Sequence, residues 1–437
     1  MARGDGPALT TPTDAGTGRA AVEAVWRMHS ARIVATLARS TGELALAEDV
    51  AQEALAEALV TWPRTGAPAN PAGWLVTTGR RRAVDAFRRR AALDDRYAAL
   101  ARDLDPGGPA VPGPEEAWDP DRVDDDVLAL MFVACHPVLS REAQVALTLR
   151  VVGGLTSDEI ARAFLVPTAT VQARITRAKK TLAAARVPFA VPEPHERAER
   201  LGPVLSVVYV VFTEGSTATS GDDWIRQDLA HEAVRLARVL ARLQPTEPEV
   251  LGLLALLELT AARFPARTAA DGSPVLLDEQ DRQRWDRAAV RRGRAALAAA
   301  GAVGRGLGAY GLQAAIAECH AVAPSVAATD WERVVLLYEA LGRLAPSPVV
   351  DLNRAVALAQ ARGPAAALPV VDALVADGAL AGSHLLPSVR GELLRRLGRD
   401  AEARAETERA VALCGNAAER AVLLRRLATI TEDHRAG

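Results

Sequence analysis

The segment Leu155–Arg186 holds the residues whose types and spacing point most directly to chemistry. Thr156 stands three residues before Glu159, the spacing at which a hydroxyl and a carboxylate cap a helix start reciprocally. A break follows at Leu165–Val166–Pro167, and a second helix is predicted from about Thr168 to Ala185. Arg174, Arg177, Lys179, Lys180 and Arg186 lie on or beside it, with no acidic residue among them. Ile160, Ala161, Phe164, Val166, Val171 and Ile175 are spaced to pack the two helices together. That is a helix-turn-helix pattern, which leaves the first turns of the second helix free to enter a major groove. Its outward positions are then Thr170, Gln172, Ala173, Thr176 and Arg177. Glutamine can bond adenine and arginine can bond guanine, each with two hydrogen bonds, and Ala or Thr methyls suit the thymine methyl. Thr170, Arg174 and Lys180 are better placed for phosphates. A helical hairpin with no DNA role could share the spacing; the single sign of the second helix favours DNA.

A second cationic stripe follows the turn Asn70–Pro71–Ala72–Gly73–Trp74, where Pro71 sits near a helix start. Arg80, Arg81, Arg82, Arg88, Arg89 and Arg90 stand against Asp85 alone, a net +5 over eleven residues. Val76, Gly79, Ala83 and Phe87 recur at helical spacing and face inward, so Arg81 and Arg88 share one outward stripe and Arg82 and Arg89 the next. Guanidinium groups along a helix match phosphates along a strand, and each contact releases counterions. Trp74 and Asn70, near the same end, are the kinds of group that stack on and hydrogen-bond unstacked bases. Trp74 would serve equally as a core anchor.

A third surface has the opposite sign. Ala47, Val50, Ala51, Ala54, Leu55, Ala58 and Leu59 make an apolar stripe at helical spacing, and Glu48, Asp49, Gln52, Glu53 and Glu57 fall on the other face. Carboxylates on a helix are ordinarily a solvated face. The alternative is a docking surface for a basic partner.

The elements that position these groups are helical throughout. Apolar residues recur at intervals of three and four, and β-branched alternation is scarce. Two composition breaks divide the chain. Asp103–Asp126 holds nine acidic residues against Arg122, with five prolines and three glycines, and can neither bury apolar surface nor propagate a helix. The second break contains Pro188, Pro192 and Pro194. The expected organisation is a disordered tail over 1–18, a domain over 19–100, an acidic linker over 101–123, a second domain over 124–187, a Pro-rich linker over 188–196, and a helical unit over 197–434. Gly342, Gly363, Gly378 and Gly398 punctuate the last unit as helix stops. Pro348–Gly378 and His384–Gly415 each read as helix, turn and helix, offset by about the tetratricopeptide period. Ala403 and Ala410 are small residues of the kind found where paired helices cross closely. An irregular bundle competes with the repeat reading over 197–330.

Composition bounds the rest. Hydrophobic residues make up 49% and charged residues 24% of 437, which excludes wholesale disorder. A net charge of −2 excludes a uniformly basic nucleic-acid coat, so any such site is local. Cys135, Cys319 and Cys414 are too far apart for a disulfide framework and suit a reducing compartment. No apolar run approaches the roughly 18 residues that span a membrane. The expected location is cytoplasmic and at the nucleoid.

An acidic helix, an Arg-rich helix after a Trp turn, an acidic linker and a helix-turn-helix together resemble a bacterial RNA polymerase sigma factor. The nearest likeness is the extracytoplasmic-function (ECF) type, which keeps only regions 2 and 4. The matching stretches are Leu46–Leu59, Trp62–Pro63, Asn70–Arg90 and Leu155–Leu182. Phe212–Asp223, Asp278–Asp286 and Ala345–Ala357 fit the subgroup with a long C-terminal extension related to tetratricopeptide repeats. The resemblance implies an all-α protein, two small sigma domains followed by a tetratricopeptide-like domain, that binds core RNA polymerase and promoter DNA and is no enzyme. It implies partners in the largest and flap-bearing subunits of the polymerase, with Asp49, Gln52 and Glu53 meeting the largest. Asn70, Trp74, Arg80, Arg81, Arg82, Arg88 and Arg89 would melt and read the −10 element. Thr170, Gln172, Ala173, Arg174, Thr176, Arg177 and Lys180 would contact the −35 element. The acidic linker would thread the polymerase cleft, and the extension would regulate by an intramolecular contact. One departure stands out. Many members carry Asn where this chain has Arg81, so Arg81 reads the −10 element differently or not at all.

Other residues invite chemistry they are not expected to perform. Cys135–His136 and Cys319–His320 look like metal half-sites, but neighbours on a helix point about 100° apart and rarely chelate together. Glu214, Asp222 and Asp223 gather in a Gly-rich stretch without a nucleophile or phosphate cradle nearby. No catalytic residue, cofactor or metal is expected. Two other readings fit parts of the chain: a stand-alone helix-turn-helix regulator with a sensory repeat domain, and a repeat scaffold with a vestigial N-terminal portion.

Overall fold

Helical spacing in the sequence becomes helix in the computed structural model, which describes residues 12–91, 120–216, 227–269 and 275–436, apart from 165, 276, 278 and 416. The chain divides into two compact units, Met1–Val207 and Val208–Gly437. Residues 101–119 of the expected acidic linker, residues 92–100 at the end of the expected first domain and the Asp222–Asp223 pair lie outside the described residues, as do residues 1–11 of the expected tail.

In the first unit α1 (Pro12–Thr41), α2 (Leu44–Thr65) and α3 (Pro71–Ala91) pack on one another. Helix α1 thus extends into the segment expected as a tail. Ile33, Val34, Leu37, Trp62, Leu75 and Phe87 fill the core between them. Gly79 lets α1 and α3 cross closely, since a Cβ there would lie 2.8 Å from Leu37 Cδ1. Next come α4 (Pro120–Ala134), α5 (Arg141–Val151), α6 (Ser157–Ala163) and α7 (Thr168–Ala184). Helix α4 takes in the last residues of the acidic stretch. Proline suits a first helical position, so a residue type that stops a helix upstream helps to start one here. From Val127 to Cys135 every residue of this segment is buried, and α4 lies against α1 and α5.

Helix α8 (Pro194–Ser216) begins in the first unit. Arg200 donates to the Phe132 carbonyl at 3.2 Å, and Arg141 donates to the Ser206 carbonyl at 3.1 Å. The unit therefore continues past the Pro188–Pro194 stretch.

The second unit has two styles of packing. Around α10 (Pro248–Ala261) gather α9 (Gln227–Leu243), α12 (Arg287–Ala302) and α13 (Ala309–Val322), with the short α11 (Phe264–Arg267) between α10 and α12 in sequence. Helix α10 is apolar nearly all round, which fits its central place. Gly252 allows the α13 backbone to close in, as a Cβ there would sit 2.6 Å from the Gly311 nitrogen. Glu258, buried on the same helix, accepts from Arg238 at 2.7 Å and from Arg292 at 3.0 Å.

From α13 onward, α14 (Trp331–Leu344), α15 (Pro348–Ala361), α16 (Pro364–Ala376), α17 (Leu385–Arg396), α18 (Asp400–Leu413) and α19 (Ala417–Ala436) each pack on the next, as in a helical-repeat array. The two predicted hairpins are α15–α16 and α17–α18. Gly363, Gly378 and Gly398 stop helices with φ of 90°, 65° and 71°, a region that glycine enters without strain. Gly342 does otherwise: α14 runs through it to Leu344, and its bare side faces Val350 of α15. Ala403 and Ala410 are fully buried, and Gly391 approaches the Ala403 carbonyl. None of the described helices is long and apolar enough to cross a membrane.

Candidate nucleic-acid interface

Helix α3 starts where Asn70 Oδ1 accepts from the Gly73 nitrogen at 2.9 Å, so Asn70 is its N-cap. Trp74, half-buried, meets the buried Trp62 edge-on with centroids 5.5 Å apart. The Trp74 ring therefore anchors the turn against Trp62 while part of it stays exposed. Arg81, Arg88 and Arg89 are exposed. Arg82 reaches Glu57 of α2 at 2.8 Å and Glu53 at 3.9 Å, tying the cationic helix to the acidic one. Arg80 is half-buried, and burial and the nearby Arg39 lower its pKa while Asp126 opposes them.

On α2 the predicted stripe turns inward: Ala47, Val50, Ala51, Ala54 and Ala58 are buried, while Leu55 and Leu59 are half-buried. Asp49 and Glu53 are exposed and Gln52 is half-buried.

The helix-turn-helix is built as the sequence suggests. The Thr156 nitrogen donates to Glu159 Oε2 at 2.7 Å and the Glu159 nitrogen donates to Thr156 Oγ1 at 3.2 Å, a complete capping box. Thr168 Oγ1 donates to Asp158 Oδ1 at 2.8 Å and pins the start of α7 to α6. Ile160, Ala161, Val171 and Ile175 are buried between the helices, with Phe164 and Val166 half-buried. Gln172, Ala173, Thr176, Arg177 and Lys180 are exposed, and Thr170 and Arg174 are half-buried. One face of α7 thus offers amide, methyl and guanidinium groups together.

Glu48 is the residue the sequence misplaces. Assigned to the outward face of α2, it is 4% exposed and receives Arg150 Nε at 2.6 Å and Lys179 Nζ at 2.5 Å. Burial pushes its carboxyl up, but Lys179 and Arg150 outweigh burial and hold it below the ordinary glutamate range. Lys179 also lies 3.8 Å from Asp49. Arg39 of α1 pairs with the buried Asp126 of α4 at 2.9 Å, and a Cβ at Gly154 would run into Ser30. Ion pairs to the buried carboxylates of Glu48 and Asp126 therefore tie α2 to α5 and α7, and α1 to α4. Glu48 and Arg150 stand 102 residues apart, and no local pattern links them.

The tempting Cys–His pairs are engaged in packing and hydrogen bonds. The Cys135 thiol, pushed up to about 12 by burial, lies 3.3 Å from Thr148 Oγ1, and His136 Nδ1 accepts from the Val138 nitrogen. Cys319 packs with Ile316, Val334 and Val335. His320 meets the Trp331 ring edge-on, its pKa lowered to about 4 by burial and by Arg263 and Arg282.

A capped helix-turn-helix thus lies in one compact unit with a cationic helix and an acidic one. Residues 25–92 match sigma-70 region 2, residues 129–182 match sigma-70 region 4, and residues 200–301 match a family of unknown function (DUF6596). The chain is similar to an uncharacterised protein of Rhizobium meliloti (strain 1021), 43% identical over 418 residues that cover 91% of this chain and 95% of that one. It belongs to the sigma-70 family of RNA polymerase sigma factors, in a form that carries a C-terminal helical extension after regions 2 and 4.

Proposed function

We propose that this sigma factor is of the extracytoplasmic-function type, binds core RNA polymerase, and recognises and opens a −35/−10 promoter. The observation that carries the reading is the segregation of charge in one compact unit. Asp49 and Glu53 stand exposed on α2, Arg81, Arg88 and Arg89 on α3, and Gln172, Thr176 and Arg177 on α7. Asp49, Gln52 and Glu53 dock on the polymerase largest subunit. Asn70, Trp74, Arg80, Arg81, Arg82, Arg88 and Arg89 act at the −10 element. Asn70 caps α3 through its Oδ1 and so stands at the entry to the cationic helix; Arg82 exchanges Glu57 for a phosphate. Gln172, Ala173, Thr176 and Arg177 read −35 base edges while Thr170, Arg174 and Lys180 hold phosphates.

The two promoter elements lie about 25 base pairs apart, roughly 85 Å at 3.4 Å per step. Lys179 in direct contact with Glu48 is incompatible with that span, so α7 leaves α2 before both elements are gripped. Lys179 lies 3.8 Å from the proposed docking residue Asp49, so polymerase bound there would compete with α7 for this contact.

Charge reversal tests the docking face. The chain is expected to co-elute with core polymerase, and the Asp49→Lys, Glu53→Lys double variant to elute apart from it. Co-elution unchanged by the double reversal contradicts the assignment.

The extension acts on the sigma regions within the same chain. Truncation after Val207 keeps the α8 residues that pack on Phe132 and Arg141. A rise in promoter-dependent transcription on truncation identifies an inhibitor and a fall identifies a required element; unchanged transcription contradicts an intramolecular role.

A further inference from the structure

The turn-and-stack pattern of the C-terminal array brings together three residues that are remote in sequence. His384 immediately precedes α17, Cys414 immediately follows α18, and Glu419 lies in the first turn of α19. Because α18 returns along α17, the end of α18 comes back to the start of α17, and α19 begins beside both. His384 Nε2 is 3.2 Å from Glu419 Oε2, Cys414 Sγ is 3.9 Å from the same oxygen, and all three ligand atoms lie within 4.8 Å of one another.

We propose that His384, Cys414 and Glu419 bind a single thiophilic divalent transition metal of the zinc class, with a fourth position open to solvent or an added ligand. Zinc holds nitrogen and oxygen at roughly 2.0–2.2 Å and thiolate sulfur at about 2.3 Å in a tetrahedron. That geometry sets ligand atoms about 3.4 Å apart for nitrogen and oxygen and about 3.6 Å apart for sulfur and oxygen. The two separations in the protein differ from these by a few tenths of an ångström, within the reach of small side-chain adjustments. Imidazole, thiolate and carboxylate together suit zinc rather than calcium or magnesium, which take oxygen ligands.

The surroundings support the assignment. The Cys414 thiol is 1% exposed, and Arg420 donates to the Cys414 carbonyl, which fixes its backbone. His384 and Glu419 each keep about a fifth of their side chain exposed (22% and 21%), so one side of the cluster faces solvent and provides both an entry path and the fourth position. Arg267, from α11, places a guanidinium where it acts electrostatically on Glu419, a supporting group outside the ligand set. Without metal the His384–Glu419 contact and Arg267 hold the cluster together. On binding, the thiol releases its proton to solvent; thiolate and carboxylate then neutralise the two positive charges, and the imidazole stays neutral.

Cobalt(II) is the probe, titrated into the full-length, tag-free chain. One equivalent is expected to bind with tetrahedral ligand-field bands and a thiolate-to-cobalt charge-transfer band, both bleached by added zinc. Cys414→Ala and His384→Asn are each expected to abolish the bands while far-UV circular dichroism reports unchanged helicity; Cys135→Ala and Cys319→Ala are expected to keep them. Absence of uptake, an octahedral spectrum without charge transfer, or bands that survive in Cys414→Ala overturns the proposal. The partly exposed His384→Asn decides the matter if Cys414→Ala fails to fold. None of these readouts depends on polymerase or promoter.

Discussion

Arg177 and Lys179 are two positions apart on α7 and face different chemistry. Arg177 is exposed, on the face proposed to read DNA, while Lys179 turns back to the buried Glu48. Arg177→Ala is therefore expected to cost about 1–3 kcal/mol of promoter binding and to relax preference at one −35 base, measured on a panel of single-base promoter variants. Lys180→Ala is expected to weaken binding evenly across the panel and to lower the salt dependence by about one counterion. An even loss for Arg177→Ala instead makes it a phosphate contact. His320 carries a prediction of another kind. Its pKa is about 4 in the folded chain against 6.5 for the free side chain, so between these values the unfolded state binds the extra proton. The stability linked to this group is complete above pH 6.5 and is lost as pH falls toward 4, by at most about 3 kcal/mol. Thermal unfolding of His320→Phe is expected to fall less steeply over that window than unfolding of the unmodified chain.

Capping, more than intrinsic propensity, decides whether the seven-residue α6 forms, because isolated helices that short are marginal. Thr156→Ala removes the reciprocal box and is expected to cost about 1 kcal/mol of stability, with −35 affinity reduced evenly across sequences. Urea unfolding and the promoter panel check this; a change in base preference would contradict it. This element was fully legible in the sequence, because a capping box, a proline break and an apolar repeat are local signals. The same holds for the Asn70 turn, the inward stripe of α2 and the hairpins α15–α16 and α17–α18, whose glycine stops carry their own backbone requirement. Three features were not legible, for physical reasons. Gly342 was expected to stop a helix, yet here the missing side chain serves a helix crossing. Glu48 sits between the apolar and acidic sectors of α2, and only tertiary packing decides which way it turns. His384, Cys414 and Glu419 converge through the handedness of the array, and their spacing shows no ligand signature.

At the scale of the whole chain, the sigma regions are held together by ion pairs that must part if both promoter elements are bound. When a buried pair parts, both charges return to water, and regained hydration offsets much of the lost attraction. Opening is expected when polymerase competes for the Asp49 face of α2. Fluorescent probes at Arg89→Cys and Gln172→Cys are expected to move apart by tens of ångströms when core enzyme is added, on the scale set by the promoter spacing. A distance unchanged by core enzyme would mean that regions 2 and 4 act as one block. Run-off transcription tests the central claim most directly. Core polymerase with the purified chain is expected to give discrete transcripts from a cognate promoter, lost when either the −35 or the −10 element is scrambled and lost with the Asp49→Lys, Glu53→Lys variant. Binding to the same promoter without any transcript above core enzyme alone would contradict the account and favour a stand-alone DNA-binding regulator.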